Sequence, residues 1–338
     1  GAELKRHLKA VHFRGMPGEA VFFGGSGTKA TLIVGVGEPP AKETALACLV
    51  RLRKTAGSAA RTLRGRGFKK AAVDLARHPS FRRLKSGDLG RALAESFALG
   101  NSRFTKYISD KTEKEKGLAE VVLLEPAKDA IGFRTGVAEG RELGDATLVA
   151  RAAVNESPSV MTPQGMEAEA RRVSRENRLS IKVLNEKDLK KGNFRAFLAV
   201  GQGSVHPPRL IHLTYKPARA GRNTPRIGFV GKGVTFDSGG LNLKPTGSME
   251  TMKCDMSGSA AVLGAMQAIA RLKPHVEVHG FLGMAENMPD GAAYRPGDII
   301  VSKSGKTVEI LNTDAEGRLV LIDTLTYAQQ FKLDKLVD

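Results

Sequence analysis

Residues 227–244 read IGFVGKGVTFDSGGLNLK, and this stretch decides the fold of the second half of the chain. The apolar residues 227–230 predict a buried strand, and the glycines that follow allow turns that other residues adopt with difficulty. Lys232 and Asp237 are thereby presented beside a Ser-Gly-Gly loop, and Lys244 ends the stretch. The pattern therefore predicts a strand that leads into a site with charged side chains.

Gly231 and Lys232 also invite comparison with a phosphate-binding loop. That motif needs four residues between its glycines and a Ser or Thr after its lysine. Here Gly228 lies too close to Gly231, and Gly233 follows the lysine. The stretch therefore does not predict a nucleotide phosphate site.

A second segment, residues 252–261, reads MKCDMSGSAA and carries Asp255. The small residues after this aspartate predict a helix that runs to residue 272. A lone aspartate just before such a helix is typically an N-cap. The segment alone therefore leaves open whether Asp255 caps the helix or belongs to a site.

A third segment, residues 311–320, reads LNTDAEGRLV. If its backbone is extended, alternation places Asp314, Glu316 and Arg318 on one face. Such a triplet can be a surface ion-pair cluster. However, apolar residues on both sides predict burial, and buried carboxylates need cations.

Together the three segments hold more acidic than basic side chains. The carboxylates are those of Asp237, Asp255, Asp314 and Glu316, and the cations are Lys232, Lys244 and Arg318. Four carboxylates in one pocket repel each other unless divalent metal is present. All seven histidines lie outside these segments, and oxygen-rich sites without histidine suit two hard or borderline ions such as Mn²⁺, Mg²⁺ or Zn²⁺. The segments favour a metal site on condition that they meet in space.

Strand-like and helix-like segments alternate along the chain, which indicates an α/β protein. We expect a small N-terminal α/β domain over residues 1–130 and a connecting helix and linker over 131–165, where the Pro-rich run lies. Residues 166–338 then form a larger α/β domain, whose central mixed sheet is flanked by helices.

Composition limits the function classes less than the motifs do. The longest apolar stretch, residues 260–270, is about half the length that spans a bilayer, so no membrane role is expected. Two cysteines make a disulfide framework implausible and favour a reducing, cytoplasmic location.

The formal net charge is +18, and residues 51–100 alone hold 13 basic and 3 acidic side chains. This basic surface could bind nucleic acid, although a solvated surface is the simpler explanation and is favoured, since no aromatic-interleaved basic motif or zinc-finger spacing is present.

The motifs resemble those of the cytosolic leucyl aminopeptidases, peptidase family M17. The stretches GKGVTFDSGGLNLKP, MKCDMSGSAAVLGAM and NTDAEGRL carry the resemblance, and NTDAEGRL is that family's signature. Similarity covers residues 135–338 and is weaker over 1–130. It implies that Lys244 and Arg318 form the catalytic pair and that Met252 lines the pocket for the substrate's N-terminal side chain. It also implies two metal ions held by Lys232, Asp237, Asp255, Asp314 and Glu316.

The resemblance also implies an activity and an assembly. Members hydrolyse N-terminal residues from peptides, preferring Leu and other bulky apolar ones, with Zn²⁺, Mn²⁺ or Mg²⁺ and a bicarbonate near Arg318. They form hexamers of paired trimers, which we expect here. The family's catalytic domain continues beyond the position of Asp338, so this chain resembles a truncated catalytic domain. We expect a polypeptide that ends at Asp338 to leave a sheet edge uncovered and to be inactive in isolation.

Three alternatives stay open on sequence alone. The chain could be a metal-dependent hydrolase that acts on another substrate. It could bind DNA or act as a scaffold through its basic surface, as some bacterial members of the family do, with or without peptidase activity. It could also be a structural pseudoenzyme, although retention of all seven charged site residues argues against this.

Overall fold

The structure is a computed structural model that describes residues 2–24, 30–126 and 128–338. Its contacts divide the chain into two compact units, Gly1–Asp145 and Ala146–Asp338. The division falls inside the helix Ala130–Asn155, within the segment that the sequence predicts as a connection. Within the described ranges, no helix is long and apolar enough to cross a membrane.

The first unit combines helices with two short strand pairs. In chain order its elements are α1 (Ala2–Ala10), β1 (Ala20–Phe23), β2 (Thr31–Val34), α2 (Ala45–Gly65), β3 (Lys70–Val73), α3 (Ser86–Asn101), α4 (Lys111–Glu115), β4 (Glu120–Leu123) and the start of α5 (Ala130–Asn155). Strands β1 and β2 are antiparallel, whereas β3 and β4 are parallel. Thr44 caps α2 by accepting a hydrogen bond from the Ala47 backbone N–H. The core of this unit includes Leu52, Phe81 and Leu93.

The second unit is built on a five-stranded sheet. Its elements are α6 (Pro163–Asn177), β5 (Ser180–Leu184), α7 (Glu186–Lys191), α8 (Arg195–Val200), β6 (Arg209–Tyr215), β7 (Arg226–Asp237), α9 (Ser257–Leu272), β8 (Glu277–Asn287), β9 (Ile299–Val301), β10 (Thr307–Glu309), α10 (Gly317–Ala328) and β11 (Lys335–Val337). The strand order is β11-β7-β8-β6-β5. Strands β11, β7 and β8 are parallel, and β6 is antiparallel to β8 and β5. The predicted α/β class with a mixed central sheet is confirmed.

Helices cover both faces of this sheet, and alternate residues of each strand pack on opposite sides. On β8, Phe281 and Ala285 belong to the core that contains α8 and α10. Leu282 and Met284 belong to the core that contains α6 and α9. All eleven residues of β8 are buried as a result, as expected for a strand that is covered on both faces. The sheet is therefore a rigid platform for whatever lies at its edge.

The carboxyl ends of the parallel strands β7 and β8 define one edge of the sheet. Strands β7 and β8 end at Asp237 and Asn287, which are paired across the two strands. The pairing register shifts between Val234 and Asp237, so the last residues of β7 depart from the regular hydrogen-bond ladder with β8. Open α/β sheets bind ligands outside the carboxyl ends of their strands, and the charged segments predicted from the sequence lie here.

A buried histidine pair lies on the α10 face of the sheet, away from this edge. His212 Nε2 is 2.8 Å from His279 Nδ1, and His279 Nε2 is 3.0 Å from Glu277 Oε1. Because a carboxylate only accepts, His279 donates through Nε2 and accepts through Nδ1, so His212 donates through Nε2. The rings of Phe281 and Phe331 lie 4.4 and 4.5 Å from the His212 ring, centroid to centroid. The pair is therefore a neutral, desolvated link between β6 and β8.

This link predicts acid sensitivity. Burial, aided by the charge that His279 can carry, lowers the pKa of His212 from 6.5 to about 3. In the unfolded chain the same imidazole is protonated near its ordinary pKa, so stability is complete above about pH 6.5 and is lost as the pH falls towards 3. We expect the free energy of unfolding of the second unit to fall by about 2 kcal/mol between pH 7 and pH 5 through His212. Denaturant unfolding at stepped pH measures this change.

A matched pair of variants isolates the effect. His212→Gln keeps an N–H donor but cannot take up a proton. The free energy of unfolding of this variant should therefore fall by about 2 kcal/mol less than that of the native protein between pH 7 and pH 5. His275→Gln removes an exposed histidine from the same unit and should keep the native pH dependence. Identical pH profiles for His212→Gln and the native protein would contradict the assignment.

Candidate metal centre

Lys232 lies in the middle of β7 and contacts two acidic residues from other segments. Its Nζ is 2.5 Å from Asp255 Oδ2 and 2.7 Å from Glu316 Oε1. Gly317 leaves room for this side chain, because a Cβ at that position would lie 2.6 Å from Lys232 Cε. Burial lowers the pKa of Lys232, but its hydrogen bonds to the two carboxylates outweigh burial and leave that pKa above its ordinary value.

Lys244 connects the other two predicted carboxylates. Its Nζ is 3.0 Å from Asp237 Oδ2 and 2.5 Å from Asp314 Oδ1. Burial opposes the charged form of Lys244, but hydrogen bonds to Asp314 and Asp237 raise its pKa well above the ordinary value. The loop between Asp237 and Lys244 bends sharply through Gly239 and Gly240, which have φ values of +88° and +64°. The three charged segments, which are far apart in the sequence, therefore meet around the ammonium groups of Lys232 and Lys244.

The carboxylates of Asp237, Asp255 and Glu316 converge, and one oxygen of each lies within 4.8 Å of the others. Asp237 and Glu316 are 2% and 1% exposed, so these charges are shielded from water. Burial raises the pKa of Glu316 and of Asp255 despite their bonds to Lys232. Converging oxygen donors with an excess of negative charge fit a divalent cation chemically. Asp314 lies at the rim, and its side chain is 34% exposed.

The structure excludes two local alternatives that the sequence left open. Residues 313–318 are not extended: Thr313–Ala315 form a 3-10 helix, and α10 begins at Gly317. Asp314 and Glu316 reach the site because the chain turns there, and not because alternation places them on one face of a strand. Asp255 does not cap α9, since Met256 occupies the N-cap position and the Asp255 carboxylate bonds Lys232 instead.

The predicted roles of Met252 and Arg318 stay predictions. Met252 is half-buried in a 3-10 helix, Met252–Cys254, directly before Asp255. Arg318 is exposed in the first turn of α10. Within residues 2–24, 30–126 and 128–338, no hydrogen bond or ion pair holds its guanidinium. The structure thus gathers Lys232, Lys244 and the four carboxylates, whereas these two side chains lie outside the contacts described above.

The sequence did not assign a role to the uncharged residues that hold these segments together. Asn287, the last residue of β8, donates from Nδ2 to Asp237 Oδ1 and to the Thr313 carbonyl. The Thr313 hydroxyl donates to the Gly239 carbonyl, and its backbone N–H donates to Asn242 Oδ1. One signal was present in the sequence: a buried strand that ends in Asn must satisfy its amide, and a neighbouring site is the natural place.

Two protein-family models match this chain. Residues 148–338 match the family described as "Cytosol aminopeptidase family, catalytic domain". Residues 1–111 match "Cytosol aminopeptidase family, N-terminal domain". All the residues gathered around Lys232 and Lys244 fall within the first of these matches.

Curated relatives carry the same family name. A probable cytosol aminopeptidase of Aquifex aeolicus (strain VF5) is 48% identical over 75% of this chain and 50% of its own length. Another, from Alkaliphilus metalliredigens (strain QYMF), is 40% identical over 100% of this chain and 67% of its own length. The chain therefore spans about half to two thirds of these relatives.

Solved structures agree with this match. The bottromycin maturation enzyme BotP superposes with a TM-score of 0.84 at 36% identity, covering 98% of this chain and 68% of that one. Its complex with Mn superposes with a TM-score of 0.82 at 37% identity, over 95% and 65% of the two chains. Because the catalytic-domain match covers more than half of its residues, the chain belongs to the cytosol aminopeptidase family.

Proposed function

We propose that this protein is a two-metal aminopeptidase that hydrolyses N-terminal residues from peptides, with a preference for Leu and other bulky apolar residues. One observation carries the proposal. The carboxylates of Asp237, Asp255 and Glu316 converge within 4.8 Å beside Lys232, in a member of the aminopeptidase family. A surface ion-pair cluster does not explain this arrangement, because Asp237 and Glu316 are buried.

The proposed metal ligands are Lys232, Asp237, Asp255, Asp314 and Glu316. Divalent ions bound to them supply Lewis-acid activation of the scissile carbonyl and of the attacking water. Zn²⁺ and Mn²⁺ are the proposed ions, with Mg²⁺ as a third option, because oxygen donors prevail over nitrogen and sulfur here. Lys232 would act as a ligand only as a neutral amine, so its ammonium would have to lose a proton before it could hold a cation.

The remaining residues act on the substrate. The Lys244 ammonium, oriented by Asp237 and Asp314, donates a hydrogen bond to the oxyanion that develops at the scissile carbonyl. Arg318, whose guanidinium is exposed, would hold a bicarbonate anion, and that anion would supply a base for the proton that the attacking water loses and the leaving amine gains. Met252 contacts the N-terminal side chain of the substrate.

Metal removal tests the proposal directly. The complete protein should release leucine from a chromogenic leucyl amide, and chelation should lower this activity by about 10³-fold or more, because metal activation supplies several kcal/mol. Mn²⁺ or Zn²⁺ should restore it. Parallel assays with a phosphate monoester and a carboxylic ester separate an aminopeptidase from another metal hydrolase. Activity that survives chelation, or no peptidase activity at any metal concentration, would refute the proposal.

Three further properties are proposed from family resemblance. They are assembly as a homohexamer, a cytoplasmic location and nucleic-acid binding through the basic surface. In the first unit, Arg53 pairs with Glu95, Arg83 with Glu43, and Arg91 with Glu139, so part of the positive charge is already neutralised. A steep fall in DNA affinity with salt would nevertheless support the nucleic-acid interpretation.

A further inference from the structure

The side chain of Asn287 connects two of the acid-bearing segments. It is 0% exposed and lies where β8 ends. Its Nδ2 is 2.8 Å from Asp237 Oδ1, on the end of β7, and 3.0 Å from the carbonyl oxygen of Thr313, the residue before Asp314. Both partners can only accept, so the amide nitrogen must face them and both of its hydrogens are used.

The bond to Asp237 selects which carboxylate oxygen remains available. Asp237 Oδ1 accepts a second hydrogen bond from the Gly239 backbone N–H at 2.9 Å. Oδ1 therefore has two donors, while Oδ2 faces Lys244 Nζ at 3.0 Å. A rotation of the carboxylate would break both bonds to Oδ1, so Asn287 and Gly239 together determine the direction in which Oδ2 points.

The bond to Thr313 holds the other segment. The Thr313 carbonyl also accepts from the Tyr294 hydroxyl at 2.7 Å, and Thr313 Oγ1 donates to the Gly239 carbonyl at 2.7 Å. The 3-10 helix Thr313–Ala315 is thereby tied to the end of β8 and to the loop after Asp237. Asp314 lies within this helix and Glu316 directly follows it, so their positions relative to Asp237 depend on the same hydrogen bonds.

The oxygen of the Asn287 amide, in contrast to its nitrogen, makes no hydrogen bond among the described residues. This oxygen, Oδ1, is buried. It faces Gly240, whose Cβ, if present, would lie 2.9 Å from that oxygen. A buried acceptor without a donor is energetically unfavourable. The residue is therefore suited to its place by its two donors, and not by its oxygen.

We propose that Asn287 is a positioning residue that sets the separation and orientation of Asp237 relative to Asp314 and Glu316, and so preorganises the cluster for divalent ions. The inference rests on the proposed metal site. It concerns metal affinity and not the hydrolytic step, because Asn287 reaches the ions only through Asp237 and the backbone of Thr313. Outer residues that orient metal ligands typically contribute 10- to 100-fold in affinity.

The test measures Mn²⁺ binding and metal-free stability side by side. Asn287→Leu keeps the approximate volume and removes both donors, and Asn287→Asp keeps the shape and replaces donors by acceptors. Both should weaken Mn²⁺ binding by about 10- to 100-fold in isothermal titration calorimetry. Asn287→Ser, which is smaller and cannot reach both acceptors, takes their place if they fail to fold and should show the same loss.

Thr235→Val is the matched control. Thr235 is also buried on the β7–β8 pair and donates to a backbone carbonyl, that of Ala285, without touching a carboxylate. It should lower metal-free stability without changing Mn²⁺ affinity. If folded Asn287 variants bind Mn²⁺ as tightly as the native protein, the positioning role is wrong, even where their melting temperature falls. If the native protein binds no divalent metal, the proposed function fails instead.

Discussion

Glu316→Gln should lower leucyl-amide hydrolysis by about 10³-fold or more and reduce the number of bound metal ions below two per subunit. Glu316 is buried, and its carboxylate contributes one of the three converging oxygens, so an amide there replaces a charged ligand by a weak neutral one. Shape is preserved, and the bond to Lys232 can persist through the amide oxygen. We therefore expect the variant to fold and to fail in metal binding.

Thermal unfolding with and without metal separates these two effects. Ligands that bind only the folded state stabilise it, so Mn²⁺ should raise the melting temperature of the native protein and raise that of Glu316→Gln much less. Glu309→Gln makes the same chemical change at an exposed position of β10 and should behave as the native protein does. Full activity and full metal content in Glu316→Gln would remove this residue from the site.

Lys244→Ala should lower turnover by about 10²- to 10³-fold while metal content changes much less. Its ammonium lies between Asp237 and Asp314, where it can donate to a developing oxyanion. Because Lys244 is not a proposed ligand, the carboxylates remain available for metal after its removal. Steady-state kinetics, combined with metal analysis of the same preparation, measures both quantities.

Two comparisons sharpen this experiment. Lys306→Ala removes an exposed lysine from the connection between β9 and β10 and should leave turnover unchanged. Lys244→Arg keeps a cationic donor and should retain more activity than the alanine variant, though less than the native protein, since a guanidinium is larger and planar. If Lys244→Ala loses metal and turnover in equal proportion, Lys244 organises the ligands and does not act on the oxyanion.

The sheet and its acidic edge could be predicted from the sequence because their signals are local. The apolar run at 227–230 lies within β7, and the small-residue run after Asp255 forms α9. Carboxylates in apolar surroundings require cations wherever the chain places them. Residue type and apolar surroundings therefore favoured one site for Asp237, Asp255 and Glu316 on condition that their segments meet, and the family resemblance supplied the assignment of each residue.

The backbone around 313–318 could not be predicted in the same way. Over so short a run the sequence pattern fits either an extended strand or a helical turn, and the choice between them depends on tertiary hydrogen bonds. Thr313 makes those bonds, with Asn242 on the loop after β7 and with Asn287 at the end of β8. Contacts between residues about 26 and 71 positions apart leave no local pattern.

These carboxylates are proposed to bind two divalent cations jointly. Crystals of the metal-replete complete protein, measured at the manganese absorption edge, test it most directly. We predict two anomalous peaks per subunit beside Asp237, Asp255 and Glu316, each within coordination distance of carboxylate oxygens. Native crystals grown in excess Mn²⁺ with no peak at these oxygens, or with their side chains turned to solvent, would contradict the account.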